Sequence, residues 1–208
     1  MFNAIEVRPA IPADVQVGTR LIYMTMGRLA DFLLGLDKPS KTESVLAKLF
    51  VREANRFSYQ FVDMAEMSGR VVGLLLAYSG REMESLKFPM ARQLFVVCGL
   101  PGLFRFLRRG LPLMRVKEAE VEEYYINSLA VLPSFQGQGI GKHLLSWGES
   151  KAKTLGLGKC CLTVEIGNRQ ASSLYEHLGY RIVETVEIEQ LNQRIGYQGF
   201  HRMVKELR

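Results

Sequence analysis

A glycine-rich turn between a predicted strand and a predicted helix constrains this 208-residue chain more than any other feature. The apolar strand at 123–131 ends before Pro133, and the run Gln136-Gly-Gln-Gly-Ile-Gly-Lys142 then leads into a periodic helical segment. Amides in the first turn of a helix have no internal acceptor and lie at the positive end of the helix dipole. Glycines let such a backbone approach a phosphate closely, and Lys142 adds positive charge. The turn therefore predicts a diphosphate-binding site.

Two common phosphate-binding motifs do not fit this turn. The dinucleotide fingerprint G-x-G-x-x-G, counted from Gly137, requires its third glycine one position after Gly141. The loop G-x-x-x-x-G-K-[ST] requires a glycine where Gln136 stands and a hydroxyl residue where His143 stands. A dinucleotide-binding domain and a P-loop NTPase are therefore both excluded.

Hydrophobic periodicity outlines the rest of the chain. Strands are predicted at 5–8, 59–65, 70–78, 123–131, 160–166, 180–188 and 199–204, and helices from 12, from 42, at 139–155 and at 169–178. The first helix is predicted from an apolar stripe through Val17, Leu21, Met24, Leu29 and Phe32, and a break is expected at 35–39. The strand–helix–strand unit after residue 123 predicts a parallel strand pair within a mixed sheet.

A second motif follows the glycine turn at the distance of one helix and one strand. Residues 168–180 fit N-x-x-A-x-x-L-Y-x-x-x-G-[FY], and 136–141 fit Q/R-x-x-G-x-G/A. Together these blocks resemble the GNAT superfamily of acyl-CoA-dependent N-acetyltransferases. The resemblance is strong over 124–188, only topological before residue 80, and absent across 81–117. It implies an α/β (α+β) fold: a mixed, mostly antiparallel central sheet flanked by helices, with a partly helical insert before the fourth strand, as a single domain over 1–208.

The resemblance also implies a site for acetyl-CoA as cosubstrate, and each role falls on a matching position. The pantetheine arm is expected along Leu129, Ala130 and Val131. The diphosphate is expected at Gln136, Gly137, Gln138, Gly139, Ile140, Gly141 and Lys142. Asn168 is expected to hydrogen-bond the ligand, and Tyr175 to protonate the departing thiolate.

The group that accepts the amine proton is less well defined by the sequence. Amines with a pKa near 10 are mostly protonated at neutral pH, so the reaction needs a base. Glu123, at the start of the strand lining the predicted reaction centre, is the favoured candidate, and Glu165 is the second. The three histidines have no carboxylate partner at metal-binding spacing, so no metal is expected.

Residues 81–117 form a long excursion between the predicted hairpin and the strand at 123–131. It is rich in apolar residues, and Arg105, Arg108 and Arg109 alternate there with Leu and Phe in a basic amphipathic patch. One interpretation is a lid or a wall of the acceptor pocket. The other is additional core or a homodimer surface. Prolines and arginines interrupt the apolar run, so no membrane span is expected.

Composition limits the possible functions of the chain but does not identify the amine that would accept the acetyl group. The net charge of +6 fits a phosphate-bearing ligand, whereas no stripe of aromatic and basic residues indicates specific nucleic-acid binding. Three cysteines without metal spacing, and no predicted leader, favour a cytoplasmic protein. The leading prediction is N-acetylation of a primary amine of a small molecule. Acetylation of a protein N-terminus or lysine, and a non-catalytic acyl-CoA-binding module, are the alternatives.

Overall fold

The computed structural model describes residues 4–34, 39–113 and 116–207, and its strands form one mixed sheet. The strands are β1 (Glu6–Pro9), β2 (Val62–Met67), β3 (Arg70–Ser79), β4 (Glu123–Val131), β5 (Lys159–Glu165), β6 (Arg181–Glu187) and β7 (Gly199–Glu206). Their spatial order is β1-β2-β3-β4-β5-β7-β6. Every neighbouring pair is antiparallel except β4 and β5. The predicted mixed, mostly antiparallel sheet is confirmed.

Helices cover both faces of this sheet. They are α1 (Val15–Met26), α2 (Arg28–Leu34), α3 (Pro39–Phe50), α4 (Gly80–Ser85), α5 (Lys87–Gly110), α6 (Ile140–Thr154), α7 (Arg169–His177) and α8 (Glu189–Ile195). Side chains alternate between the faces of a strand, so Leu74 and Leu76 join one core while Leu75 and Ala77 join the other. The first core packs against α1, α3 and α5, and the second against α6 and α7.

The parallel pair β4 and β5 separates partway along its length. Their register runs from Glu123 beside Lys159 to Ile126 beside Leu162 and ends there, although β4 continues for five more residues. The crossover helix α6 enters from the end of β4, as parallel strands require. The end of β4 therefore leaves an open gap on its β5 side.

Four details of the predicted elements were wrong. The strand predicted from residue 59 begins at Val62, because Tyr59–Phe61 form a short 3-10 helix that Ser58 caps through the Gln60 amide. The first helix divides into α1 and α2 because Gly27 has a φ of 45° and a ψ of −122°, and Met24 is 40% exposed instead of lying in the core. α3 begins at Pro39, earlier than expected, because proline suits the first helical turn. Helix α8 was not predicted. The expected break at 35–39 lies outside the described residues except for Pro39.

The excursion at 81–117 is mostly helical, more so than the sequence suggested. Its prolines do not prevent this, because Pro89 lies in the first turn of α5 and Pro101 lies just after a break at Gly99. Gly99 has a φ of 70° and a ψ of 177°, which are not helical values. By length and composition α5 is the one described helix that could cross a membrane. The break, however, leaves segments of at most 12 residues, each roughly 18 Å long, too short for a span.

Candidate active site

The turn before α6 is open towards solvent. Gly137 and Gly139 have φ values of 76° and 79°, in the left-handed region that glycine adopts at little cost. A Cβ at either position would meet no atom within 4 Å. A ligand can therefore approach this backbone without meeting a side chain.

The amides of this turn are available for hydrogen bonding. The first amide to donate within the helix is that of His143, to the Gly139 carbonyl at 3.0 Å. In the part of the chain that the structure describes, none of the amides of residues 137–142 donates to a protein acceptor. These six consecutive amides, of which those of Gly139 to Lys142 lie at the positive end of α6, are the kind of unpaired donors that a diphosphate can use.

Side chains beside the turn also suit a diphosphate ligand. The Gln136 Nε2 donates to the Val131 carbonyl at 3.0 Å, which ties the turn to the end of β4. Lys142 is exposed and makes no ion pair with a described residue. The Arg70 guanidinium lies 5.6 Å from the ring centroid of Phe135 and adds a second cation near the turn. Arg70 was not predicted, because the hairpin that carries it is distant in sequence.

The register of β3 and β4 shows which backbone groups face the gap. The Leu132 amide donates to Val72 at 2.8 Å, and successive residues of a strand point in opposite directions. The backbone groups of Ala130 therefore face β3, whereas those of Leu129 and Val131 face the gap. Of the three predicted residues, Leu129 and Val131 can pair with an extended ligand, and the backbone of Ala130 cannot.

Asn168 is the N-cap of α7, where its Oδ1 accepts a hydrogen bond from the Ala171 amide at 3.1 Å. The Asn168 side chain is exposed, and its NH₂ group has no acceptor among the described residues. This residue follows the end of β5, on the far side of the gap from β4. Its free donors are placed to meet a ligand, and that role stays a prediction.

Tyr175 is half-buried on α7 and packs edge-on against Tyr180, with ring centroids 6.0 Å apart. Within the described residues its hydroxyl has no hydrogen-bond partner. Burial raises the pKa of Tyr175 to about 12, so the phenol is protonated throughout the physiological range. A protonated, unengaged phenol is the state that a proton donor requires.

Glu123 occupies a different environment from the one its predicted role as base requires. Its carboxylate is 4% exposed, pairs with Arg202, and accepts the Glu120 amide at 2.7 Å. Burial alone would raise the pKa of Glu123, but these hydrogen bonds outweigh burial and hold it below its usual value. It also lies three residues before the point where β4 and β5 part. Glu123 is thus a poor proton acceptor in this structure. The sequence favoured it because burial and ion pairing are not visible in a sequence.

A polar network lies on the α1–α3 face of the sheet, next to the gap. The Tyr125 hydroxyl lies 3.1 Å from Thr163 Oγ1 and donates to Glu118 at 3.2 Å. The Arg56 guanidinium pairs with Glu118 at 2.7 Å and donates to the Tyr78 hydroxyl at 2.9 Å. Sequence reasoning missed this network, since it joins residues distant in sequence, such as Arg56 and Glu118, which are 62 residues apart.

Glu165, the second candidate base, ends β5 on this same face. Thr163 and Glu165 are two residues apart on one strand, so their side chains point to the same side. Burial, together with the nearby carboxylates of Glu165 and Glu118, raises the pKa of Tyr197. Glu165 is only partly buried and forms no ion pair with a described residue. It is therefore better placed than Glu123 to receive a proton.

These features combine a glycine-rich turn with free amides, a strand pair that separates partway, and a protonated phenol. A sequence model of the acetyltransferase (GNAT) family matches residues 30–180. The chain belongs to this family. It is a GNAT acetyltransferase, a transferase acting on amines.

Solved structures with the same fold cover nearly the whole chain. An N-acetyltransferase from Staphylococcus aureus Mu50 superposes with a TM-score of 0.68 at 24% identity, over 96% of this chain and 99% of that one. The PaiA N-acetyltransferase from Thermoplasma acidophilum, solved with coenzyme A, gives 0.55 at 15% identity, over 98% and 99%. At these identities the likeness establishes the GNAT fold, whose enzymes use acetyl-CoA.

One curated relative matches a shorter region. An aminoalkylphosphonate N-acetyltransferase from Salmonella typhimurium is 39% identical over 56 residues, which is 27% of this chain and 36% of that protein. The chain thus matches about a third of that relative's length. Among the described residues of this GNAT enzyme, no group of three His, Cys, Asp or Glu side chains could hold a metal ion.

Proposed function

We propose that this chain, as a single domain, transfers an acetyl group from acetyl-CoA to the primary amine of a small molecule. The observation that carries the proposal is the pairing of two features at one point. The last five residues of β4 have no partner on the β5 side, and the chain then leads into six free amides at the turn and first residues of α6. A single long ligand could lie along the unpaired end of β4 and reach these amides.

The coenzyme would be held mainly by backbone. The diphosphate would accept hydrogen bonds from the amides of residues 137–142, with Lys142 supplying charge. The pantetheine amides would pair with Leu129 and Val131 as an added strand does. The NH₂ group of Asn168 would donate from the other side of the gap. This arrangement would place the thioester where β4 and β5 part.

The chemistry requires three functions beside the thioester. Attack by a neutral amine on the carbonyl develops an oxyanion, which the amide of Leu129 or Val131 would stabilise. The amine proton would pass to Glu165, directly or through a water. Coenzyme A leaves as a thiolate, which Tyr175 would protonate. A phenol is a weaker acid than a thiol, so this transfer would depend on holding the Tyr175 hydroxyl close to the leaving sulfur.

A hydrophobic cluster from four parts of the chain would form a wall on the acceptor side and favour a compact amine. Ile188, Leu191 and Phe200 form a small core there. Leu29 and Phe32 of α2, and Leu113 and Val116 at the end of the excursion, pack against it. Because Phe200 pairs with Glu165, this wall stands beside the end of β5. A wall at this place would hinder an extended peptide, while Met90 and Leu94 of the excursion add to the first core as the other interpretation expects.

A panel of amines tests this acceptor class. We expect thiol release from acetyl-CoA with small primary amines, aminoalkylphosphonates and polyamines included, at a kcat/KM at least tenfold above that for peptides with a free N-terminus or lysine. The name of the curated relative supports including aminoalkylphosphonates. Higher kcat/KM with peptides would favour a protein acetyltransferase. Coenzyme binding without turnover on any amine would favour a non-catalytic binding module.

A matched pair of substitutions tests the base. Glu165→Gln is expected to lower kcat about 100-fold with little change in Tm, because it removes a proton acceptor from a partly exposed site. Glu123→Gln is expected to lower stability by about 3 kcal/mol or more, because it leaves Arg202 buried without its partner, while kcat per folded molecule changes little. Kinetics and thermal melting of both variants, side by side, measure this. The reverse pattern would return the role of base to Glu123.

A further inference from the structure

The two segments of α5, before and after the break at Gly99, carry exposed apolar side chains, here called the outer stripe. It consists of Phe88, Phe95, Val96, Leu100, Phe104 and Leu107. Phe88 is 83% exposed, and Leu100 and Phe104 are each 66% exposed. The spacing from Leu100 to Phe104 to Leu107 places these three on one side of the helix.

The outer stripe is not required by the fold. The opposite side of α5 is already buried against α2 and α3, through residues such as Met90 and Leu94. A surface helix usually carries polar residues on the side that faces solvent. A contiguous exposed apolar surface of this kind marks a site of interaction.

The charge around the stripe points to the nature of its partner. From Lys87 to Lys117, both included, the sequence has seven basic residues and no acidic one. Arg92 and Arg108 are exposed and lie three or four residues from members of the stripe, so they share its side of α5. Neither forms an ion pair with a described residue. Exposed phenylalanine and leucine bordered by arginine is the pattern of helices that lie in the interface of an anionic membrane.

A second copy of the chain fits this surface less well. Symmetric dimers use the same patch on both subunits, so Arg92 and Arg108 would meet a surface that carries arginines and no acidic residue. Like charges brought together in this way oppose association. Anionic phospholipid, in contrast, offers negative headgroups above an apolar layer.

The geometry points to a peripheral membrane contact: we propose that the outer stripe docks this acetyltransferase on an anionic lipid surface. α5 would lie in the plane of the headgroups, with its inner side still packed on α2 and α3. The break at Gly99 fits this arrangement, since neither segment is long enough to span the bilayer. The proposal is independent of the acceptor, because it concerns a surface and not the catalytic site.

Vesicle flotation of the full chain tests this. We expect the protein to float with vesicles of phosphatidylcholine mixed with phosphatidylglycerol, at least tenfold more than with phosphatidylcholine alone, and less at high salt. The double substitution Leu100→Ser with Phe104→Ser should lower binding about tenfold or more, and so should Arg92→Gln with Arg108→Gln. Val183→Ser serves as the control, since Val183 is 54% exposed on the distant strand β6.

Several results would overturn the proposal. These are no flotation, equal flotation with neutral vesicles, or loss of binding in Val183→Ser equal to that in the stripe variant. A dimer in solution that Leu100→Ser with Phe104→Ser dissolves, without vesicle binding by the native chain, would assign the stripe to self-association instead. Circular dichroism establishes that each variant is folded, and the arginine variant provides a test that leaves the apolar contacts intact.

Discussion

Gly139→Asp is expected to weaken coenzyme A binding about 100-fold, or roughly 2.7 kcal/mol. Gly139 is the N-cap of α6, and a side chain built there meets no protein atom. A carboxylate would therefore stand in the space proposed for the diphosphate and repel it. The loss is measured by calorimetry with coenzyme A.

Gly139→Asn is the matched control for this substitution. Asparagine has nearly the same shape as aspartate, tolerates the left-handed conformation at φ 79°, and also caps helices well. We expect it to bind coenzyme A far more tightly than the aspartate variant does. Equal affinity in the two variants would remove the phosphate assignment, because charge would then play no part.

Tyr175→Phe is expected to lower kcat about 100-fold or more, while the affinity for coenzyme A stays within a factor of about three. Phenylalanine retains the ring contact with Tyr180 and removes only the hydroxyl. The phenol pKa of about 12 keeps the acid protonated, so kcat should fall by the same factor from about pH 6 to about pH 10. Steady-state kinetics across this range, with acetyl-CoA and the best amine, measure the effect.

Tyr180→Phe is the control for Tyr175→Phe. The Tyr180 hydroxyl donates to Glu149 at 3.2 Å, inside the second core and away from the gap. Its loss should change stability more than kcat. If Tyr175→Phe leaves kcat unchanged, or if both substitutions lower it equally, Tyr175 is not the proton donor.

The sequence predicted those parts of the molecule that local patterns determine. The bounds of β4 were predicted to the residue, and the glycine turn, α6 and the Asn168 cap of α7 lie where their motifs placed them. Each depends on residues close together in the chain. Periodicity, capping and left-handed glycines act over such short distances, so the sequence displays them directly.

Features that depend on distant contacts were not predictable in this way. The pairing of Glu123 with Arg202 joins residues 79 apart, and it buries the carboxylate that the sequence favoured as the base. The direction of Ala130 depends on which register β4 takes with β3. The outer face of α5 is exposed because the opposite face packs against α2 and α3. None of these contacts between distant residues can be recognised in a single sequence.

Titration of the native chain with coenzyme A tests the central claim, that free amides at the start of α6 and the edge of β4 hold this carrier. Isothermal calorimetry should give one site per chain with a Kd in the micromolar range, weakening as salt is raised. No measurable heat or protection against thermal unfolding with millimolar coenzyme A or acetyl-CoA would contradict the assignment and, with it, the proposed transfer.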